Sequence, residues 1–193
     1  MKSRPGCPTP EQAIAATAAW IERAVIGLNL CPFAQAVYVK RQIRFAVSAA
    51  ETPAALLADL QSELRGLVAS DPATIETTLL IHPQTLTDFL DYNDFLDAAD
   101  ALVASLGLVG VVQIASFHPA YQFADSPGDD VANATNRSPY PMLHLLREAS
   151  VEKAVAAVPD AGEIHQRNVA TMRRLGWAGL TAMRLVAPPT APS

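Results

Sequence analysis

Two histidines stand in matching positions. His82 and His118 each close an apolar run, and each is followed by proline, Pro83 and Pro119. An imidazole titrates near neutral pH, so either ring can give or take a proton in a reaction. His118 also opens the stretch richest in reactive side chains, HPAYQFADSPGDDVANATNRSPYPMLHLLRE, which runs to Glu148. Within it Arg137 offers a guanidinium, and Pro141 is expected to open a short helix with free N–H groups at its start. Together they would hold a carboxylate or a phosphate. Tyr121, Asn136, Ser138 and His82 are the further substrate-binding candidates. His118 and His144 are the candidate catalytic histidines, His118 as the general acid or base and His144, with Asp130, to orient the site or bind a metal. Cys31 is a candidate nucleophile, since thiolate chemistry needs only a base and a positive environment.

A metal is the other chemistry the spacing allows. On a helix opened by Pro141, His144, Arg147 and Glu148 share one face, and His144 and Glu148 could bind one ion from adjacent turns. His118 and Asp130 would complete a site of two histidines and carboxylates. The cofactor is left unknown, with a divalent metal as the one named candidate. Each feature also has a plain structural reading. A histidine at a strand end often just bonds a backbone carbonyl. Asp125, Asp129, Asp130 and Asn133 sit beside Pro127-Gly128, where such residues cap turns. A free cysteine is more often a small buried hydrophobe.

These residues need elements to position them. Thr9-Pro10-Glu11-Gln12 reads as a capping box opening a helix to about residue 29. Residues 42–48 alternate as a strand, and Thr52-Pro53 caps a helix with Leu56, Leu60, Leu64 and Leu67 as its buried stripe. Residues 77–81 are a second strand, followed by a helical region ending near Gly107. Asp88, Asp91, Asp94, Asp97 and Asp100 form a solvated arc there. Residues 109–117 read as a third strand, buried on both faces. Helices follow at 150–158 and 161–175, the latter ended by Gly176, and 179–186 is a candidate fourth strand. Trp20 and Trp177 read as core edges.

Strands alternating with helices imply an α/β fold: one domain, a small mostly parallel sheet of three or four strands, and a long ordered loop after the third strand. Strand order stays open. The carboxyl ends of parallel strands are where such sheets bind ligands, which puts His82, His118 and the loop at one edge. Cys31, between the first helix and the first strand, is expected at the opposite edge, although residues 31–40, if extended, could span the distance.

Composition bounds the rest. The chain has 193 residues, half of them hydrophobic, and a net charge of -5. That argues against a nucleic-acid surface, which needs clustered Lys and Arg. No apolar run approaches the roughly 20 residues of a membrane span, and no signal-peptide core opens the chain. Cys7 and Cys31 make no disulfide framework. The expectation is a cytoplasmic protein with a single domain over residues 9–187, tails at 1–8 and 188–193, and no nucleic-acid or membrane partner.

One set of motifs is specific. Leu30-Cys31-Pro32-Phe33-Ala34, Ile81-His82-Pro83, Ser116-Phe117-His118-Pro119, and Thr135-Asn136-Arg137-Ser138-Pro139-Tyr140-Pro141 with His144-Leu145-Leu146-Arg147-Glu148 occur in this order. Over residues 10–187 the chain resembles the bacterial domain of unknown function 1415. The resemblance implies a single domain filling the chain and adds no reaction or catalytic residue. Three functions stay open. One is an enzyme, a hydrolase or transferase, acting on a small anionic substrate. Another is a non-catalytic structural or partner-binding domain whose 118–148 loop is a self-satisfied polar plug, with Arg137 paired to Asp129 or Asp130. The third is a metal-dependent hydrolase or oxygenase. A pocket lined by His118, Arg137 and His144 favours the first, and side chains buried against each other favour the second.

Overall fold

The computed structural model describes residues 7–156, 161–183 and 185. Helix α1 (Pro10–Trp20) starts at the Thr9–Gln12 capping box. It runs on into a π-helical segment, Ile21–Ile26, whose wider turns are closed by Gly27 N–H to Glu22 O. A short α2 (Ala34–Val39) leads into β1 (Ile43–Val47). Thr52 caps α3 (Pro53–Ala69) through its hydroxyl, which accepts from Ala55 N–H. Strand β2 (Thr77–Ile81) is buried along its whole length. Asp88 caps α4 (Phe89–Ser105), which begins later than the apolar pattern alone suggests. Gly107 follows it at φ 69, the left-handed conformation a helix end favours. Next come β3 (Val112–Phe117), a 3-10 turn (Val131–Asn136) and β4 (Met142–Arg147). Helices α5 (Glu148–Ala156) and α6 (Ile164–Ala182) finish the described chain.

The sheet has the order β1-β2-β4-β3. Strands β1 and β2 are parallel, and β4 lies antiparallel between β2 and β3. The α/β class stands, with a mixed sheet: three strands run one way and β4 runs against them. Helices cover both faces. On one, α3 and α4 pack through Leu56, Leu60, Leu64, Tyr92 and Phe95 onto Leu80, Leu143 and Leu145. On the other, Trp20, Met172 and Leu180 of α1 and α6 meet Leu79, Ile81 and Met142.

Four expectations need correcting. Residues 142–147 form a central strand, not a helix. An apolar run of that length fits a strand buried on both faces equally well. The chain over 179–182 is the end of α6, not a fourth strand, and residue 186 lies outside the described residues. Gly176 breaks the helix at φ 62, ψ 174, but helix resumes after it. Strand β3 is an edge strand, so most of it is only half-buried.

With β4 a strand, Arg147 has no helical face to share with His144 and Glu148. Its Nη2 lies within hydrogen-bond distance of Leu67 O (2.6 Å), Ser70 O (2.8 Å), Ser70 Oγ (3.1 Å) and Ile75 O (3.1 Å). Three of these acceptors belong to the carboxyl end of α3 and its cap, where the helix dipole favours a cation. Arg147 therefore joins the end of α3 to the lead-in of β2. Arg147→Met is expected to cost about 2 kcal/mol, read as a lower urea midpoint at an unchanged m-value. An unchanged midpoint would mean that these acceptors are equally well served by water.

Candidate functional site

His82 and His118 follow the last residues of β2 and β3, and both rings pack on Tyr92 of α4, at centroid distances of 5.8 and 5.0 Å. The Tyr92 hydroxyl donates to Met142 O (2.9 Å) and accepts from Phe117 N–H (3.1 Å). Burial raises its pKa above the usual tyrosine range.

The hydrogen bonds fix both tautomers. His82 Nδ1–H donates to Thr85 O (2.9 Å), so Nε2 carries the lone pair. That Nε2 is buried with no partner among the described residues. Burial pushes the His82 pKa down to about 4, against the pull of the Thr85 bond. Ala120 N–H donates to His118 Nδ1 (3.0 Å), so the proton sits on Nε2 and is given to Leu86 O (3.2 Å). His118 is 1% exposed, and burial lowers its pKa too.

A run of aromatic contacts holds the loop. Phe89 touches His118 and Tyr121 (5.5 and 5.3 Å), Tyr121 meets Phe123 (5.1 Å), and Phe123 meets His165 of α6 (5.4 Å). Backbone groups take up the polar side chains. Asn133 accepts from Phe123 N–H and donates to Pro127 O. Asn136 donates to Ser116 O, Ser138 to Tyr140 O, and Asp130 caps the 3-10 turn through Ala132 N–H. Turn chemistry thus accounts for Asp130 and Asn133.

Arg137 is 5% exposed. Its Nε donates to Tyr121 O (3.2 Å) and its Nη2 to Gly128 O (3.0 Å), while the Trp177 ring covers one face at 4.9 Å. The pairing with Asp129 or Asp130 suggested for a plug does not form. Asp130 instead faces Arg173 at 3.7 Å, and among the described residues no carboxylate comes within ion-pair distance of Arg137. Nη1 makes no hydrogen bond to a described residue. Burial lowers the Arg137 pKa, and no neighbouring acid opposes the shift.

His144 lies elsewhere. It sits in mid-β4 on the α1 side, and its Nε2–H donates to Thr77 Oγ1 (2.8 Å), whose own proton goes to Leu145 O. Thr77 begins β2, at the end away from His82. Burial drives the His144 pKa to about 4. Among the described residues His144 shares no hydrogen bond with His118 or Arg137. Glu148 opens α5 rather than sharing a helical face with His144, and among the described residues no three metal-capable side chains converge. Cys31 is half-buried and unbridged. Its neighbour Leu30 accepts from Asn168 of α6 (2.8 Å), which ties this turn to the helix that packs on the loop.

The sequence pattern marks Trp177 only as a core edge and gives no sign of the roles of Tyr92 and Asn168, although Tyr92 is a large aromatic on the buried face of an otherwise acidic helix. The family model described as "Protein of unknown function (DUF1415)" matches residues 12–182, and the chain belongs to that family. No curated protein and no solved structure matches it.

Three buried neutral histidines make stability depend on pH. Above pH about 6.5 these rings are neutral whether the chain is folded or not. Below it the unfolded chain binds protons that the folded chain refuses, so stability falls as pH drops toward 4, where His82 and His144 begin to titrate in place. For His82, which has no exposed surface, the loss approaches ~3 kcal/mol. The urea midpoint should therefore be clearly lower at pH about 5 than at about 7.5. A flat midpoint would show that these rings gain no protons on unfolding.

Proposed function

We propose that this member of the family binds a small carboxylate- or phosphate-bearing molecule on the Arg137 guanidinium, at the carboxyl edge of the sheet. One observation carries the reading: Arg137 is a buried cation with no acidic partner among the described residues. Burying a charge costs several kcal/mol unless it is compensated. Arg147 also has no acid among the described residues, and its buried Nε lacks a partner, but its Nη2 faces four acceptors, three of them at the end of α3 and its cap, where the helix dipole favours a cation. Arg137 has two loop carbonyls and an indole face. An anion on its remaining N–H groups would supply the missing charge.

An enzyme acting on that anion is the finer form of the proposal. His118 adjoins the site but holds both ring nitrogens in backbone bonds. An acid–base role requires one of those bonds to be exchanged for a substrate bond. The second reading is the self-satisfied plug. His118 and Asn133 favour it, because main-chain groups occupy their polar atoms.

Calorimetric titration with inorganic phosphate, acetate and citrate separates the two. The anion reading expects saturable binding that raises the melting temperature, and a dissociation constant at least about tenfold weaker in Arg137→Lys. Lys keeps the charge but cannot reach two carbonyls and an anion together. The plug expects no binding of any anion and a large fall in melting temperature for Arg137→Gln.

A further inference from the structure

The turn over residues 127–130 is held from two sides. On the inside, Gly128 O accepts from Arg137 Nη2 at 3.0 Å. On the outside, Asp129 O accepts from the Trp177 indole N–H at 2.8 Å, and Arg173 faces Asp130 at 3.7 Å. The two ends are anchored. Asn133 holds Pro127 O, and Asp130 caps the 3-10 turn. Between them, Gly128 and Asp129 are exposed. The Gly128 carbonyl occupies the donor that an anionic oxygen would take in a two-pronged contact with a guanidinium, and an anionic oxygen bonds it more strongly than a carbonyl does.

We propose that the peptide between Gly128 and Asp129 is a gate on Arg137, with the Gly128 carbonyl standing in for the ligand's oxygen. When the ligand arrives, this peptide turns over. The carbonyl leaves Nη2, and the Asp129 N–H swings toward the vacated place as an added donor. The incoming group is a carboxylate or a phosphate, and the Trp177 bond to Asp129 O, on the next peptide, holds the turn in place while the gate peptide turns. Turning one peptide moves only ψ of Gly128 and φ of Asp129. Glycine tolerates the new backbone angles, and Asp tolerates a left-handed φ better than most residues. The inference rests on the reading of Arg137 as an anion site.

Two variants of equal charge should move the gate in opposite directions. Asp129→Gly admits the left-handed φ that the turned-over peptide needs at this position and should tighten phosphate binding roughly threefold. Asp129→Val fits the exposed closed turn but opposes that φ and should weaken phosphate binding by about as much. Phenylglyoxal labelling of Arg137, mapped by mass spectrometry without ligand, reads the gate directly. It should be faster in Asp129→Gly and slower in Asp129→Val, with exposed Arg173 as the internal control. If phosphate binds all three proteins alike and Arg137 labels at one rate, the gate is overturned and the anion site stands. If labelling shifts as described but phosphate binds none of them, the anion site is overturned and the ligand gate falls with it.

Discussion

The Tyr92 hydroxyl fixes both ends of the long loop. Phe117 and Met142 are register partners, the last residue of β3 and the first of β4. Tyr92 bonds the amide of one and the carbonyl of the other from a helix packed across them. The loop from His118 to Pro141 is therefore the connection of an outsized β-hairpin. Closing so long a loop costs more entropy than a tight turn. The cost is offset where the chain leaves the sheet, by Tyr92 and the two imidazoles packed on its ring, and further out by Phe89, Tyr121 and Phe123. The histidines belong to this anchoring before they belong to any chemistry. Each is neutral, and each gives a proton to a carbonyl of the 82–88 connection, Thr85 or Leu86. Protonating either ring would put a charge into the place that orders the loop.

With the imidazoles neutral, the guanidiniums are the charges the fold has to accommodate, and it treats them differently. Arg147 sits where a helix end wants a cation. Arg137 sits where the chain offers two loop carbonyls and a tryptophan. The covering of Arg137 comes late in the chain, from Trp177, one residue after the break at Gly176. Helix α6 thus seals what the loop leaves open, and it also holds the turn that carries Cys31, through Asn168. Leu30 and the loop, far apart in sequence, meet the same helix.

The parts of this arrangement that the sequence reveals are those decided locally. Thr9 with Gln12, Thr52 before Pro53, and Gly107 at a helix end are matters of capping, and capping is read from neighbours. The same holds for Thr77–Ile81, a short β-branched and apolar run, and for the placing of His82 and His118 at strand ends. The misread element is β4. The run from Met142 to Leu146 suits a helix stripe and a strand buried on both faces alike, and only the pairing with β2 and β3 decides between them. From that one misreading followed the shared face of His144 and Glu148, the helix N-terminus beside Arg137 and most of the metal site. The partners of Arg137 were illegible for a different reason. They are main-chain carbonyls and a distant indole, and no side-chain pattern announces them.

Net charge sets a further condition on an anion at Arg137. The chain carries -5, so the field at long range repels the ligand. At physiological ionic strength that field fades within about 8 Å, and exposed acids such as those of α4 are heavily screened. Asp129 and Asp130 follow Gly128, whose carbonyl bonds the guanidinium. Asp130 is partly neutralised by Arg173, whereas the Asp129 backbone is held by a neutral indole N–H. An anion bound at Arg137, as proposed, would therefore owe its attraction to contact with the guanidinium itself. Such a site gains little from electrostatic steering and selects by fit and hydrogen bonding at short range, which favours a small, compact anion over an extended polyanion.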